Sequence, residues 1–173
     1  AKGITSGYIP LSAVMIGERV ADSLINEGGE FHHGFTYSGH PVSCAVALAN
    51  LDIIENEGLV ERGARQGAKL FAALQAAIGD HPLIGEIRIK GLVGAIELVR
   101  DKGRRQFFPS DVGVGMICRK HCLANSLMMR AVRDTMIFSP ALTIGDSEIA
   151  EFVQLFTRAA EATYREVTAT AGG

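Results

Sequence analysis

The sequence predicts an α/β chain whose C-terminal half is an α+β domain with a small antiparallel sheet. The chain has 173 residues, 47% of them hydrophobic, which is enough to bury one domain or one and a half. Apolar residues recur at helical spacing in some segments and form β-rich runs in others. Twenty glycines and five prolines without tandem repeats are typical of a compact domain and exclude a solenoid or a linker.

The first part of the chain combines glycine-rich turns with a long helical pattern. Residues 1–40 are interpreted as loops and short strands. Pro41 is a favoured first helical residue, and the apolar spacing over residues 41–78 predicts one long helix or two with a break near Gly58. Because so long a helix usually bridges domains, we assign residues 1–60 to the end of one domain. Residues 61–173 then form the rest of this interdomain helix and a small C-terminal domain.

Strand and helix signals alternate in the C-terminal half. β-rich runs occupy residues 86–90 and 92–99, and a second pair occupies residues 127–132 and 135–138. Helices are predicted at about 111–123 and at 147–167. Thr143 to Asp146 resembles a capping box with Asp in place of Glu, and would open the second of these helices. The simplest packing is an antiparallel sheet covered by both helices.

Charge and hydropathy narrow the classes of partner. The net charge is −2, and the sequence pI is near 6.2, so no basic surface for nucleic acid or anionic lipid is expected. Small neutral or weakly charged molecules fit this composition better. No apolar run approaches the roughly 20 residues that span a bilayer, and no secretion signal is recognised, so a cytoplasmic protein is expected.

The cysteines and histidines give no metal motif. Three sparse cysteines predict reduced thiols and no disulfide framework. Cys118 and Cys122 could share one face of a helix, but two thiolates do not complete a tetrahedral zinc site. His32, His33 and His40 match no common zinc spacing and are interpreted as structural.

Lys2 is the candidate nucleophile. It lies among small residues, and Gly3 and Gly7 permit close approach of a planar group to its amine. A buried lysine near another cation or an apolar wall loses its proton readily and can form a Schiff base. On spacing alone, a solvated lysine in a loop remains the alternative. The chain enters this segment at Ala1 without an initiator methionine, so we expect it to be the C-terminal part of a longer protein.

Four blocks carry a resemblance to a known family. Residues 1–15, AKGITSGYIPLSAVM, resemble the lysine segment of the class III pyridoxal-phosphate-dependent aminotransferases. FHHGFTYSGHP at 31–41 is similar to the segment whose threonine reaches the cofactor phosphate of the neighbouring subunit. RIKGLVGAIEL at 88–98 resembles the β-hairpin of the small domain. MRAVRDTMIFSP at 129–140 resembles the segment that presents an arginine to the substrate carboxylate in the ω-amino acid and amine:pyruvate branch.

The resemblance runs from residue 1 to about 165 and implies the C-terminal part of a fold-type-I transferase that uses pyridoxal 5′-phosphate. Lys2 is implied to hold the cofactor as an internal aldimine and then to act as a base. Thr36 is implied to bind the phosphate, with help from the backbone of Phe35 or nearby glycines. Since Thr36 would act on the neighbouring subunit's cofactor, a homodimer or a dimer of dimers is implied.

Arg130 is the implied substrate ligand, because a guanidinium binds a carboxylate bidentately, as in a keto acid such as pyruvate. Its alternative role is an ion pair with Asp134 or Glu97. Two positions depart from the family pattern: Arg133 replaces a glycine, and Ala141 replaces the second residue of a Pro-Pro pair. Arg133 could distort the turn that aims Arg130.

The predicted reaction transfers an amino group from an amine or ω-amino acid to a keto acid, usually pyruvate. A pyridoxal-phosphate-dependent aminomutase or decarboxylase of the same fold is the alternative. A third possibility is an inactive fragment that only dimerises. In the family, the aspartate at the pyridine nitrogen, the glycine-rich phosphate cup and the ring-stacking aromatic all precede the lysine segment, and none has a counterpart here.

Overall fold

The structure is a computed structural model that describes residues 2–170, and the side chains of residues 3–169. The chain divides into two compact units, the first ending at Gly58 and the second beginning at Leu59. The first unit contains a 3-10 helix (Lys2–Thr5), α1 (Glu18–Asn26) and α2 (Pro41–Asn56). The second contains α3 (Leu59–Ile78), β1 (Ile84–Lys90), β2 (Val93–Leu98), α4 (Val114–Ala124), β3 (Arg130–Val132), β4 (Thr135–Phe138) and α5 (Asp146–Thr170).

The helical pattern over residues 41–78 forms two helices with a break at Gly58. Gly58 has a left-handed φ of 56°, which glycine adopts without steric cost. Of the two possibilities left open by the sequence, the structure therefore confirms the break. Pro41 begins α2 as predicted.

For residues 1–40 the prediction of loops is confirmed at 6–17 and 27–40, but the prediction of short strands is wrong, since the described part of this region holds no strand and contains α1. None of its residues is buried among the described residues, although Val20, Ala21, Leu24 and Ile25 form an apolar face at helical spacing. Glycines on both sides, at 17 and 28–29, made the segment look like a loop.

The second unit contains the predicted sheet, which has four antiparallel strands in the order β1-β2-β4-β3. One face packs on α3, α4 and α5, as expected for an α+β layer arrangement. The fully buried side chains at the centre of this core are Leu70, Leu74, Leu83, Ile96, Leu98, Met136 and Phe156. The opposite face carries Arg88, Ala95, Ile137 and Arg130 in register across the four strands.

Helix α5 begins at Asp146, but its cap differs from the prediction. The Glu148 carboxylate accepts a hydrogen bond from the Gly145 N–H at 3.0 Å, so a single side-chain bond caps the helix start in place of the predicted Thr143 and Asp146 pair. Asp146 instead accepts from Lys69 Nζ at 2.7 Å, across to α3. The predicted capping box is therefore displaced because α3 binds its acidic residue. In the described part of the chain, no helix has the length and apolar character to cross a bilayer.

Candidate active-site segments

The segment that follows Lys2 is an ordered turn. The backbone from Lys2 to Thr5 forms the 3-10 helix, while the Lys2 side chain lies outside the described residues. Thr5 is buried, with 1% of its surface exposed, and its hydroxyl donates to Ile9 O at 2.6 Å. The turn is therefore closed by an internal bond and not only by glycine flexibility.

Asn50 of α2 holds this turn. Its Nδ2 donates to Gly3 O at 3.0 Å and to Ile4 O at 3.2 Å, and its Oδ1 accepts from the Ser6 hydroxyl at 2.7 Å. One side chain thus fixes three consecutive parts of the lysine segment. Sequence reasoning missed Asn50; the available signal was a polar residue within the apolar run of α2.

The second segment places aromatic rings along an extended chain. The rings of Phe31 and His33 lie 5.7 Å apart, and those of His33 and Phe35 lie 5.3 Å apart. At its end, His40 Nδ1 accepts from the Ser43 N–H at 3.2 Å and caps α2. The structural interpretation is confirmed for His40.

Thr36 lies in the turn that leads into α2 and is exposed. Within the described residues its hydroxyl has no hydrogen-bond partner, so it is available to a ligand. The Phe35 N–H, in contrast, already donates to Ser38 Oγ at 3.0 Å. A ligand oxygen would have to replace that hydroxyl in order to use the Phe35 donor.

Arg130 begins β3, the edge strand of the sheet, and lies opposite Ile137 of β4. Its guanidinium is exposed, and among the described residues it has no ion pair. The Glu97 carboxylate instead lies 3.5 Å from the Arg88 guanidinium. The Asp134 carboxylate accepts a hydrogen bond from the Gly115 N–H. Neither of the two carboxylates considered for Arg130 therefore binds it.

The turn between β3 and β4 is intact despite Arg133. Val132 pairs with Thr135, so Arg133 and Asp134 alone form the loop, and the register continues to Arg130. Arg133 has a φ of 51°, a left-handed conformation that costs a residue with a Cβ about 1–2 kcal/mol. The strand pairing is kept because the arginine itself takes the strained conformation, and the effect of Arg133 on the aim of Arg130 stays a prediction.

Helix α4 contacts this turn directly at Gly115. A Cβ at Gly115 would lie 1.9 Å from Arg133 O, so only glycine allows the approach. The Gly115 N–H also donates to the Asp134 carboxylate. Burial raises the pKa of Asp134, and the bond from Gly115 opposes this rise only in part.

A groove of about 980 Å³ lies beside the hairpin, within the size range of ligand pockets. We call it the hairpin groove; its lining residues are Glu97, Phe107, Phe108, Ser110, Gly113, Met116, Val132, Arg133, Asp134, Thr135 and Ile137. No direct signal for this groove is present in the sequence, because its lining residues come from a loop, strands and a helix start that are distant along the chain.

Cys118 and Cys122 share one face of α4, as predicted, and both are fully buried in the core. Their mutual hydrogen bond raises the pKa of the Cys122 thiol, and burial raises it further. Among the described residues, no group of three or more His, Cys, Asp or Glu side chains is arranged to hold a metal ion.

Comparison with solved structures shows that the chain is similar to transaminases. The chain is similar to a thermostable (S)-enantioselective omega-transaminase from Thermomicrobium roseum, with 39% identity and a TM-score of 0.86 over 94% of this chain and 36% of that one. It is also similar to the PMP-bound form of an aminotransferase from Vibrio fluvialis, with 31% identity and a TM-score of 0.88 over 96% of this chain and 37% of that one. The predicted fold is confirmed.

The family follows from the sequence match. The family model for class-III aminotransferases matches residues 1–160, and the chain belongs to this family. A putrescine–pyruvate aminotransferase from Pseudomonas aeruginosa is 47% identical over 169 residues, or 98% of this chain and 37% of the relative. The chain thus spans little more than a third of the length of this relative.

Proposed function

We propose that this chain supplies the lysine and carboxylate-binding parts of an enzyme that transfers an amino group between an amine or ω-amino acid and a keto acid such as pyruvate. The observation that carries the proposal is the family match over residues 1–160, which spans Lys2, Thr36 and Arg130. The 47% identity to a putrescine–pyruvate aminotransferase favours the amine and pyruvate branch.

The donors in the described residues fit pyridoxal 5′-phosphate at its phosphate. Thr36 offers an exposed hydroxyl with no partner in the described part of the chain, at the turn before α2. Phosphate oxygens bind such hydroxyls through short, charge-assisted hydrogen bonds. When bound, the cofactor supplies an electron sink for negative charge at the substrate carbon.

Lys2 is the residue that would hold the cofactor and then move a proton at the substrate carbon. Its backbone leads into a turn fixed by Asn50, whose bonds to Gly3 and Ile4 limit how far the lysine backbone can shift. A base is effective only when it is held within hydrogen-bond reach of the proton it removes. Asn50 therefore acts as a positioning residue in this proposal.

Arg130 would bind the substrate carboxylate. Its guanidinium is exposed and has no carboxylate partner in the described residues, so no existing ion pair has to be broken. If Thr36 acts on the cofactor of a neighbouring subunit, as the family resemblance implies, the active form is at least a dimer.

The test is a chimera in which this chain replaces the matching segment of the Pseudomonas aeruginosa relative. After addition of pyridoxal phosphate and reduction with borohydride, we expect mass spectrometry to find the label on the peptide that contains Lys2. Lys2→Ala should abolish the label, and Lys90→Ala should leave it unchanged. A label on another lysine in the unsubstituted chimera would reject the assignment of Lys2.

The same chimera tests Arg130 and the reaction class. Arg130→Ala should raise the KM for pyruvate about 10- to 100-fold, because a charged hydrogen-bond pair is lost. Arg104→Ala, an exposed arginine on another loop, should not change it. Spectra of the donor half-reaction with and without pyruvate separate transamination from the mutase and decarboxylase alternatives, since only transamination needs pyruvate to restore the starting spectrum.

A further inference from the structure

The hairpin groove carries three side-chain donors that no protein group uses. Ser110, Arg133 and Thr135 all line it, and within the described residues none of their side chains has a hydrogen-bond partner. A guanidinium and two hydroxyls are donors suited to a carboxylate. The donor set therefore favours an anion over a cation.

The acidic residues of the groove are already engaged. Glu97 forms an ion pair with Arg88 at 3.5 Å, and the Asp134 carboxylate accepts the Gly115 N–H. Their charge is partly compensated by these contacts, whereas the Arg133 guanidinium has no such partner in the described residues. The remaining wall is apolar, with Phe107, Phe108, Met116, Val132 and Ile137 along it.

Arg133 is unusual in its backbone as well as its side chain. Its φ of 51° is strained for any residue with a Cβ. Strain of this kind is a reason to look for a function of the side chain. The side chain that the turn displays at the groove is an arginine.

The groove also adjoins the proposed substrate site. Arg130 lies directly opposite Ile137, which lines the groove, and cross-strand neighbours point to the same face with Cβ atoms about 5 Å apart. Arg130 and Val132 both lie on that face, because every second residue of a strand shares a face, and they are about 7 Å apart along β3. A ligand held by Arg130 can therefore extend toward Arg133.

We propose that Arg133, with Ser110 and Thr135, binds the distal carboxylate of a dicarboxylic keto acid whose other carboxylate is held by Arg130. The proposal rests on the proposed function for the role of Arg130. Arg133 is then a specificity residue. It widens the range of acceptors from pyruvate, which has one carboxylate, to keto acids that have two.

The first experiment uses the 173-residue chain and does not depend on the cofactor. In NMR titrations with glutarate, we expect the amide signals of Ser110, Arg133 and Thr135 to shift. Arg133→Gly should weaken binding about 10-fold, since one charged contact is lost. Butyrate, which has a single carboxylate, should bind the unsubstituted chain more weakly than glutarate.

Arg105→Gly is the matched control. Arg105 also has a left-handed φ, of 52°, and is exposed, but it does not line the hairpin groove. The substitution relieves the same kind of backbone strain and should leave glutarate binding unchanged. Equal affinity of the unsubstituted chain and Arg133→Gly, or shifts confined to other residues, would overturn the site.

The second experiment decides whether the bound carboxylate belongs to the acceptor or to a separate effector. In the chimera, Arg133→Gly should raise the KM for 2-oxoglutarate about 10-fold and leave the KM and kcat for pyruvate unchanged. An unchanged ratio of the two KM values would overturn the acceptor assignment. If the groove does not bind the carboxylate, the chimera still turns over pyruvate. If the proposed function is wrong, the chimera shows no turnover, and the NMR titration still reports whether the groove binds glutarate.

Discussion

The two units of the chain differ in what they bury and in what they offer to a ligand. In the first unit, the only described residues that are buried are Thr5, Ser43 and Ala47. Many of its large apolar side chains are exposed, as with Met15 at 96% and Tyr8 at 85%. The second unit contains a continuous core of leucine, isoleucine and aromatic side chains between the sheet and three helices.

This difference teaches that the buried core is concentrated in the second unit, whereas the residues proposed for the chemistry lie in both units. Lys2 and Thr36 belong to the unit with few buried residues, and the order there comes from local hydrogen bonds such as those of Asn50. Arg130 belongs to the unit with the core, on a sheet face that the core supports. Substitutions in the second unit should therefore change global stability, whereas substitutions in the first unit should change local order.

The largest expected effect is a core truncation in the second unit. Phe156 is fully buried, and Phe156→Ala should lower the free energy of unfolding by about 3–5 kcal/mol, measured by urea titration. Phe35→Ala removes the same ring from an exposed position in the first unit and should change it by less than about 0.5 kcal/mol. Comparable losses would contradict the contrast between the units.

The next effect is local and concerns the lysine segment. Asn50→Ala removes three hydrogen bonds, each contributing about 1 kcal/mol, and should speed amide exchange of residues 3–8 with little change in the urea midpoint of the second unit. Asn56→Ala, at the exposed end of the same helix, is the control. If exchange in residues 3–8 stays slow, Asn50 does not hold this turn.

A smaller effect is expected at the hairpin turn. Arg133→Gly should raise the free energy of unfolding by about 0.5 kcal/mol, because relief of about 1–2 kcal/mol of left-handed strain exceeds the added entropy cost of glycine. Arg119→Gly, inside α4, should instead lower it by about 1 kcal/mol. A loss of stability in Arg133→Gly would mean that the arginine side chain stabilises the turn.

The smallest effect is a change in pH dependence. Because burial raises the pKa of Asp134 above its unfolded value, the folded protein binds more protons between the two values. Asp134 therefore lowers the free energy of unfolding as pH rises through that interval, and Asp134→Asn should remove this contribution. Urea titrations from about pH 3 to 7 check it, and identical pH profiles for the two proteins would contradict it.

Lowered carboxylate pKa values elsewhere do not obscure this comparison. The pKa of Glu161 is lowered by its bonds to His81 and Arg165, so its contribution to stability is lost as pH falls. That contribution has the opposite slope and is common to both proteins. It cancels when the profile of Asp134→Asn is subtracted from that of the unsubstituted chain.

Much of the fold was predictable because its signals are local. Alternating β-rich runs and the apolar periodicity of α3, α4 and α5 predicted the sheet and its covering helices within a few residues. Helix α4 begins at Val114, after the predicted 111, because Gly113 takes a left-handed φ of 61° before it. Helix α1 was missed although its apolar residues Val20, Ala21, Leu24 and Ile25 recur at helical spacing, because glycines on both sides made this short segment look like a loop.

The site was predictable only where one residue type carries the chemistry. Lys2, Thr36 and Arg130 could be named from motifs, and their roles remain proposals. Asn50 and the hairpin groove depend on contacts between residues more than 20 positions apart, which a single sequence does not reveal. The φ of Arg133 likewise follows from the two-residue loop and its strand pairing, not from the arginine itself.

The tight approach of Gly115 to the carbonyl of Arg133 couples helix and hairpin mechanically. With no side chain between them, α4 and the β3–β4 turn cannot slide past one another independently, so a displacement of the helix is transmitted to both arginines of the hairpin. Natural or laboratory evolution can therefore retune where the guanidinium groups point by altering the outward face of α4. If Arg130 and Arg133 bind the acceptor as proposed, substitutions on the face of α4 that does not line the hairpin groove would change acceptor preference.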